Sequence, residues 1–256
     1  MAEVPDPVKP EAGQTLAGLV PEALFDILAR VLPGLAFFFL IHVSFGRRLS
    51  NPAVLVDSIY RFLFLIAGAY LAGFLIEMLS LPMIIAFYWF LDPAKLVIFG
   101  ADSDKSWKRH VSRCVTRLPL FGSLDTKLVN PILKSASRLL GVDLSPENAS
   151  EVLQTIFDYI KLRFPAIAAV LLKIHAEAFM FKNLMAVCLI TLITEVAIHR
   201  FRNLLFVIVL LLILVGCSIG FLYLSFLGPR RIYQSFLAIA SADFLSEAKS
   251  DGKTAS

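Results

Sequence analysis

Four ionisable residues interrupt the apolar stretches of this sequence and are its first candidates for chemistry: Arg61 and Glu77 in one stretch, Lys182 and Glu195 in another. A carboxylate in apolar surroundings can relay a proton or bind a cation. A charge at the centre of a bilayer costs roughly 2.5 to 3.5 kcal/mol on insertion scales, so each of the four needs a partner or an interface. Along a helix, Arg61 lies about 24 Å from Glu77, and Lys182 about 20 Å from Glu195. If the two helices run antiparallel, opposite charges meet at both depths: Arg61 with Glu195 and Glu77 with Lys182, clamping the helices together. Asp57 for Arg61 and His199 for Glu195, each four residues away on the same helix, are competing partners, and snorkelling to the interface is the third option.

Other reactive residues form weaker patterns. His175-Ala-Glu177 sets an imidazole near a carboxylate, but side chains two apart on a helix diverge. Lys173 and Glu177, four apart, make a simpler solvated pair, and His42 falls near the end of an apolar stretch. Cys188 and Cys217 lie in apolar stretches and Cys114 in a basic one, a spacing that gives neither a disulfide framework nor a metal site. There is no Walker loop, Gly-x-Ser-x-Gly elbow, His-Glu-x-x-His or Cys-x-x-Cys. Enzymatic activity is therefore disfavoured, with no catalytic residue, cofactor or metal ligand assigned. Asn148-Ala-Ser150 matches a glycosylation acceptor, read here as a chance match within a helix start.

The elements that carry these residues are set by hydrophobicity. Of the 256 residues 58% are hydrophobic and 22 are Phe, and the mean hydropathy is +0.77; lipid must be the solvent for much of the chain. About 20 apolar residues cross the hydrocarbon of a bilayer, and four stretches approach that length: about 27–45, 58–81, 179–198 and 204–228. The first carries Arg30 and Pro33 near its start. The second is apolar on to Leu91, but Pro82 breaks it, leaving an interfacial extension or a kinked continuation with Tyr88 and Trp89. The third carries two charges, yet no Gly or Pro occurs between Ala166 and Asn203, so a single helix is expected to rise through it. The fourth has no charge and meets Gly228-Pro229 and then Arg230 and Arg231, which reads as a helix stop with an electrostatic anchor.

The expected fold class is all-α: an integral membrane protein with four transmembrane helices in two antiparallel hairpins. A disordered tail (1–20) precedes hairpin 1 (21–91); a cytoplasmic helical domain (92–178) joins it to hairpin 2 (179–228); a C-terminal helix and tail (229–256) follow. Within the middle domain a helix spans Ser123 to Leu140, ending at Gly141. Another starts at Ser145-Pro146-Glu147, a cap, an N1 proline and an early carboxylate, and ends before Pro165. Lys105, Arg109, Arg113 and Arg117 recur every four residues opposite Trp107, Val111, Cys114 and Leu118, the pattern of a basic amphipathic helix. Such a helix lies on anionic lipid headgroups or packs as an ordinary solvated face; nucleic acid is a poor fit to it, for want of a recognition motif. The larger set of basic residues near the helix ends places both termini and the middle domain in the cytoplasm, and the protein in the inner membrane if bacterial.

Small residues recur at close-packing intervals, at Gly68, Ala69, Ala72 and Gly73 in the second stretch and Gly216, Ser218 and Gly220 in the fourth. They serve helices of one chain or of two protomers. The net charge of +4 sits mostly beside the apolar stretches. The leading functional expectation is a non-enzymatic polytopic membrane protein that forms a homo-oligomer or scaffolds a protein partner through its cytoplasmic domain, with a pore as one form of this. The alternative is a small transporter or channel using Glu77 and Glu195; the third is a lipid-acting membrane enzyme.

Overall fold

The computed structural model describes Ala23 and residues 25–45, 59–100, 108, 112, 113, 115, 124–141, 143–199 and 204–253, with most side chains placed as far as residue 242. Among these residues all regular structure is helical. A π-helical turn, Ile27–Val31, opens into α1 (Leu32–Phe45). Then come α2 (Ile59–Leu79), α3 (Leu81–Phe90) and α4 (Pro93–Phe99). Two polar-layer helices, α5 (Thr126–Leu140) and α6 (Ala149–Arg163), precede α7 (Pro165–Thr194), which closes in a second π-helical turn, Glu195–His199. The last helix, α8 (Leu204–Lys253), is 50 residues long.

Three helical stretches are long and apolar enough to cross a membrane: Phe62–Phe99, Pro165–Ile198 and Leu204–Ala242. The expected fourth is shorter, its apolar part running only from Ile27 to Val43, about 25 Å at helical rise against about 30 Å of hydrocarbon. Leu81–Phe90 is the kinked continuation beyond Pro82. Pro82 has no N–H to return to the preceding turn, and the chain breaks at Ser80, whose hydroxyl instead meets the Glu77 carbonyl at 2.7 Å.

Neighbouring helices run antiparallel, as their registers show. Gly34 packs on Ala69 and Gly73 on Arg30, so α1 descends as α2 climbs. Ile76 clusters with Ala186 and Val187, while Ser80 bonds to Asn183, which sets α2 against α7 in opposite senses. Gly220 lies against Phe181 and Gly228 against Ile174, giving the same relation between α7 and α8.

In the polar layer, Asp92 caps α4 by accepting the Lys95 N–H at 3.2 Å, with Pro93 following it. Asp125 caps α5 in the same way, and Gly141 ends it in the left-handed region at φ 64°, as its position at the helix exit predicts. Helix α6 starts four residues later than Ser145. Asn148 ties the loop shut, accepting from the Ser145 N–H at 2.7 Å and donating to the Asp143 carbonyl at 2.8 Å, so residues before it turn rather than coil.

The larger correction concerns α8. Gly228-Pro229 does not stop the helix, which continues through Pro229 into the polar layer. Losing one backbone hydrogen bond is offset by packing: Tyr233 and Phe236 are fully buried, in one core with Ile132, Ile156, Ile160 and Leu96. Helices α4, α5 and α6 thus do not close a core by themselves; the C-terminal helix and the foot of α7, through Ala168 and Leu171, complete it.

Candidate functional site

Among the apolar helices, a polar cluster joins three of them. Arg30 is its centre. Its Nε donates to Glu77 Oε2 at 2.9 Å, and Nη1 reaches Asp26 Oδ1 at 2.6 Å and the Tyr70 hydroxyl at 3.0 Å. The guanidinium also lies 5.6 Å from the Tyr70 ring centroid and 5.8 Å from that of Phe74, distances at which a desolvated cation gains from the ring face. The two small residues that let this happen are Gly34 and Gly73. A Cβ at Gly34 would overlap the Ala69 carbonyl, and one at Gly73 the Arg30 carbonyl. Deeper in the same junction, fully buried Asn183 donates to the Ala29 carbonyl at 2.6 Å and meets the Ser80 hydroxyl at 3.1 Å.

The depth match inferred between Glu77 and Lys182 is present, but the ion pair is not. Glu77 gives its carboxylate to Arg30, while buried Lys182, within electrostatic reach of Glu77, points its ammonium at the Phe179 ring 4.1 Å away. At the other end Glu195 is buried; the side chain of its expected partner Arg61 lies outside the described residues. Of the small residues, Gly68 and Ala69 face α1, and Gly220 sits 3.1 Å from the Phe181 ring. Gly216 is exposed with no atom near it, and the Ser218 hydroxyl turns back to the Leu214 carbonyl. No family, curated protein or solved structure matches the chain. What the site does must be read from its own geometry.

Next to the clamp lies a partly open cavity of about 600 Å³ between α3, α4, α6, α7 and α8. Its walls are apolar, with Ile84, Leu171, Ile174, Phe221 and Leu224 among them, and Gly228 leaves room on one side. Polar groups gather at the polar-layer end: Asp92, Ser150 and Gln154. The Ser150 hydroxyl lies 3.2 Å from each Asp92 carboxylate oxygen. His175 stands exposed at the rim, stacked on Phe25 at 6.2 Å and tilted against Phe179 at 4.7 Å, so its contacts are aromatic rather than ligating. Lys173 and Glu177 form the surface pair their spacing predicts, at 3.9 Å. No three His, Cys, Asp or Glu side chains converge on a metal-sized site among the described residues. Cys188 and Cys217 are buried free thiols.

Of the basic helix, Lys105, Trp107, Arg109 and Arg117 lie outside the described residues. Lys108 is placed: its ammonium bonds the Trp89 carbonyl and lies 4.8 Å from the centre of the Trp89 ring. Near the start of α6, the Ser145 hydroxyl and the Glu147 backbone hold the Glu147 carboxyl below the usual glutamate range. Sequence reasoning missed Arg30, Tyr70 and Asn183. An Arg near the start of an apolar stretch reads as a snorkelling residue; the signals for a buried role are Asp26 four residues before it and a shared depth with Glu77.

Proposed function

We propose that this chain is a non-enzymatic, multi-pass membrane protein that holds a helical layer against the bilayer surface, where it assembles with further copies or with a protein partner. The observation that carries this reading is an inside-out distribution of polarity. Leu71, Leu75, Leu205 and Leu212 are all more than 60% exposed, while Lys182, Asn183, Thr191 and Glu195 are buried. Only an apolar solvent rewards that arrangement, and unbroken patches of this kind are rare on soluble monomers.

In this reading the short first helix is a fourth crossing, with Arg30 and Asp26 at its inner end and the bilayer thinned around it. Both termini and the polar layer face the cytoplasm, and the basic helix rests its Lys105, Arg109, Arg113 and Arg117 on anionic headgroups. Transport through one chain is disfavoured by two features: Glu77 is already neutralised by Arg30, and it shares the depth of Lys182, about 20 Å along α7 from Glu195. A pore, where one forms, belongs between protomers.

Mass photometry of the full chain in mild detergent, together with cation flux in proteoliposomes, tests the assignment. The expected result is an oligomer whose flux, if any, is unchanged by Glu77→Gln. A monomer that conducts ions in a Glu77-dependent way would overturn it in favour of the transporter reading.

A further inference from the structure

The scaffold reading leaves the cavity between α3, α6, α7 and α8 without a role. Its volume of about 600 Å³ falls in the middle of the range for small-molecule sites, roughly 300 to 1,000 Å³. It holds one hydrocarbon chain and a small head rather than a whole bilayer phospholipid. Its position matters as much as its size. The apolar walls belong to helices whose outer faces carry Ile85, Ile219 and other exposed apolar side chains, and the polar end belongs to the polar layer. A molecule in the cavity therefore has its tail at the depth of hydrocarbon and its head at the depth of the surface helices.

The chemistry of the polar end selects the head. Asp92 is the single carboxylate in the lining, and no Lys or Arg lines the cavity. The carboxylate accepts the Lys95 N–H and the Ser150 hydroxyl, and no Lys or Arg among the described residues forms an ion pair with it. An ionised carboxylate has about four acceptor sites, so acceptor capacity remains for a bound donor. A phosphate or carboxylate head would instead meet like charge.

We infer that this cavity binds a single-tailed amphiphile whose head donates hydrogen bonds and carries no negative charge, with its tail against Leu171, Phe221 and Leu224 and its head at Asp92, Ser150 and Gln154. A long-chain monoacylglycerol and a long-chain primary amine share that chemistry.

Two substitutions separate binding from folding. Gly228→Leu places a side chain into the cavity, because the nearest atom to a Cβ there is Ile174 Cγ2 at 4.0 Å. It also replaces a poor helix former with a good one, which offsets the strain of a Cβ ahead of Pro229, so the net change in thermal stability is small. Asp92→Asn retains a competent helix cap while removing the charge.

The experiment is photolabelling of the full-length protein in nanodiscs with a diazirine-bearing C16 monoacylglycerol, with unlabelled monopalmitoylglycerol, hexadecylamine or palmitate as competitor. The expected result is labelling of peptides from α7 and α8 that line the cavity, displaced by monopalmitoylglycerol and hexadecylamine at concentrations about tenfold below those needed for palmitate. Gly228→Leu should abolish that labelling with its melting temperature intact, and Asp92→Asn should erase the advantage of the amine over palmitate. Hexadecylamine displacing better than monopalmitoylglycerol assigns a cationic head, and the reverse order a hydroxyl head; either supports the site. Equal competition by palmitate, or full labelling of Gly228→Leu, overturns it.

Discussion

Arg30 ties the start of α1 to α2 among the apolar helices, and the sign of each mutational effect there follows from what is left behind. Glu77→Ala leaves the guanidinium only the half-exposed Asp26 carboxylate, in a site where the Arg30 and Glu77 side chains are 22% and 16% exposed. A loss of about 1.5–3 kcal/mol is expected, and Arg30→Met in the same chain should restore most of it, read as the coupling in a thermal double-mutant cycle. Lys182→Met should be neutral or stabilising, because it removes a buried ammonium whose nearest stabilising partner is the Phe179 ring. A marked loss for Lys182→Met would mean that the amine, and not the arginine, neutralises Glu77. A third effect depends on pH. The Glu147 carboxyl is depressed in the native protein, so its contribution is present above the ordinary glutamate range and lost as pH falls through the lowered native value. Ser145→Ala should therefore lower the melting temperature at pH 7, and the difference should shrink and be lost as pH falls below the ordinary glutamate range. The common depth of Glu77 and Lys182 was legible from residue counting along two antiparallel helices. Their true partners were not, because a helix register fixes height and not azimuth, and a third helix carrying Arg30 could enter between them.

At the level of elements, the packing glycines divide into two kinds. Gly34 and Gly73 let α1 and α2 approach until backbone meets backbone, so Gly34→Ala or Gly73→Ala forces the pair apart and should cost about 1–3 kcal/mol or more. Gly216 faces open space on α8; Gly216→Ala should leave a monomer unharmed and even favour the helix by up to about 1 kcal/mol. If that face joins protomers, Gly216→Leu dissociates the oligomer seen by mass photometry while the melting of the isolated chain holds. Local signals placed several helices well: Gly141 at the exit of α5 and the absence of breakers through α7. They failed at Gly228-Pro229 because a proline removes only one hydrogen bond, whereas burial of Tyr233 and Phe236 depends on residues more than 70 positions away. Phe236→Ala should cost about 3–5 kcal/mol and loosen α5 and α6, seen as faster amide exchange there, though Phe236 lies beyond the apolar half of its own helix.

For the whole molecule, lipid and water act as two solvents on one continuous framework. The all-α class was readable from composition, since so much Phe and Leu in breaker-free stretches leaves the backbone no partner but itself in hydrocarbon. The number of crossings was harder to read: Ile27–Val43 is apolar but short, and hydropathy alone does not distinguish a thinned crossing from a helix seated on one face. The joining of the two layers could not be read at all, because it lies in long-range contacts between the last helix and α5, α6 and the foot of α7. The central claim is that α8 runs without a break from lipid into the core of the polar layer. Its most direct test is maleimide accessibility in sealed native vesicles, with Cys114, Cys188 and Cys217 replaced by Ser and single cysteines placed at Leu205, Leu212, Ile219, Arg231 and Ser150. The account predicts that positions 212 and 219 stay unreactive to a membrane-impermeant reagent while 231 and 150 react from the same side. Reaction at 212, or reaction of 231 and 150 from opposite sides, would contradict it.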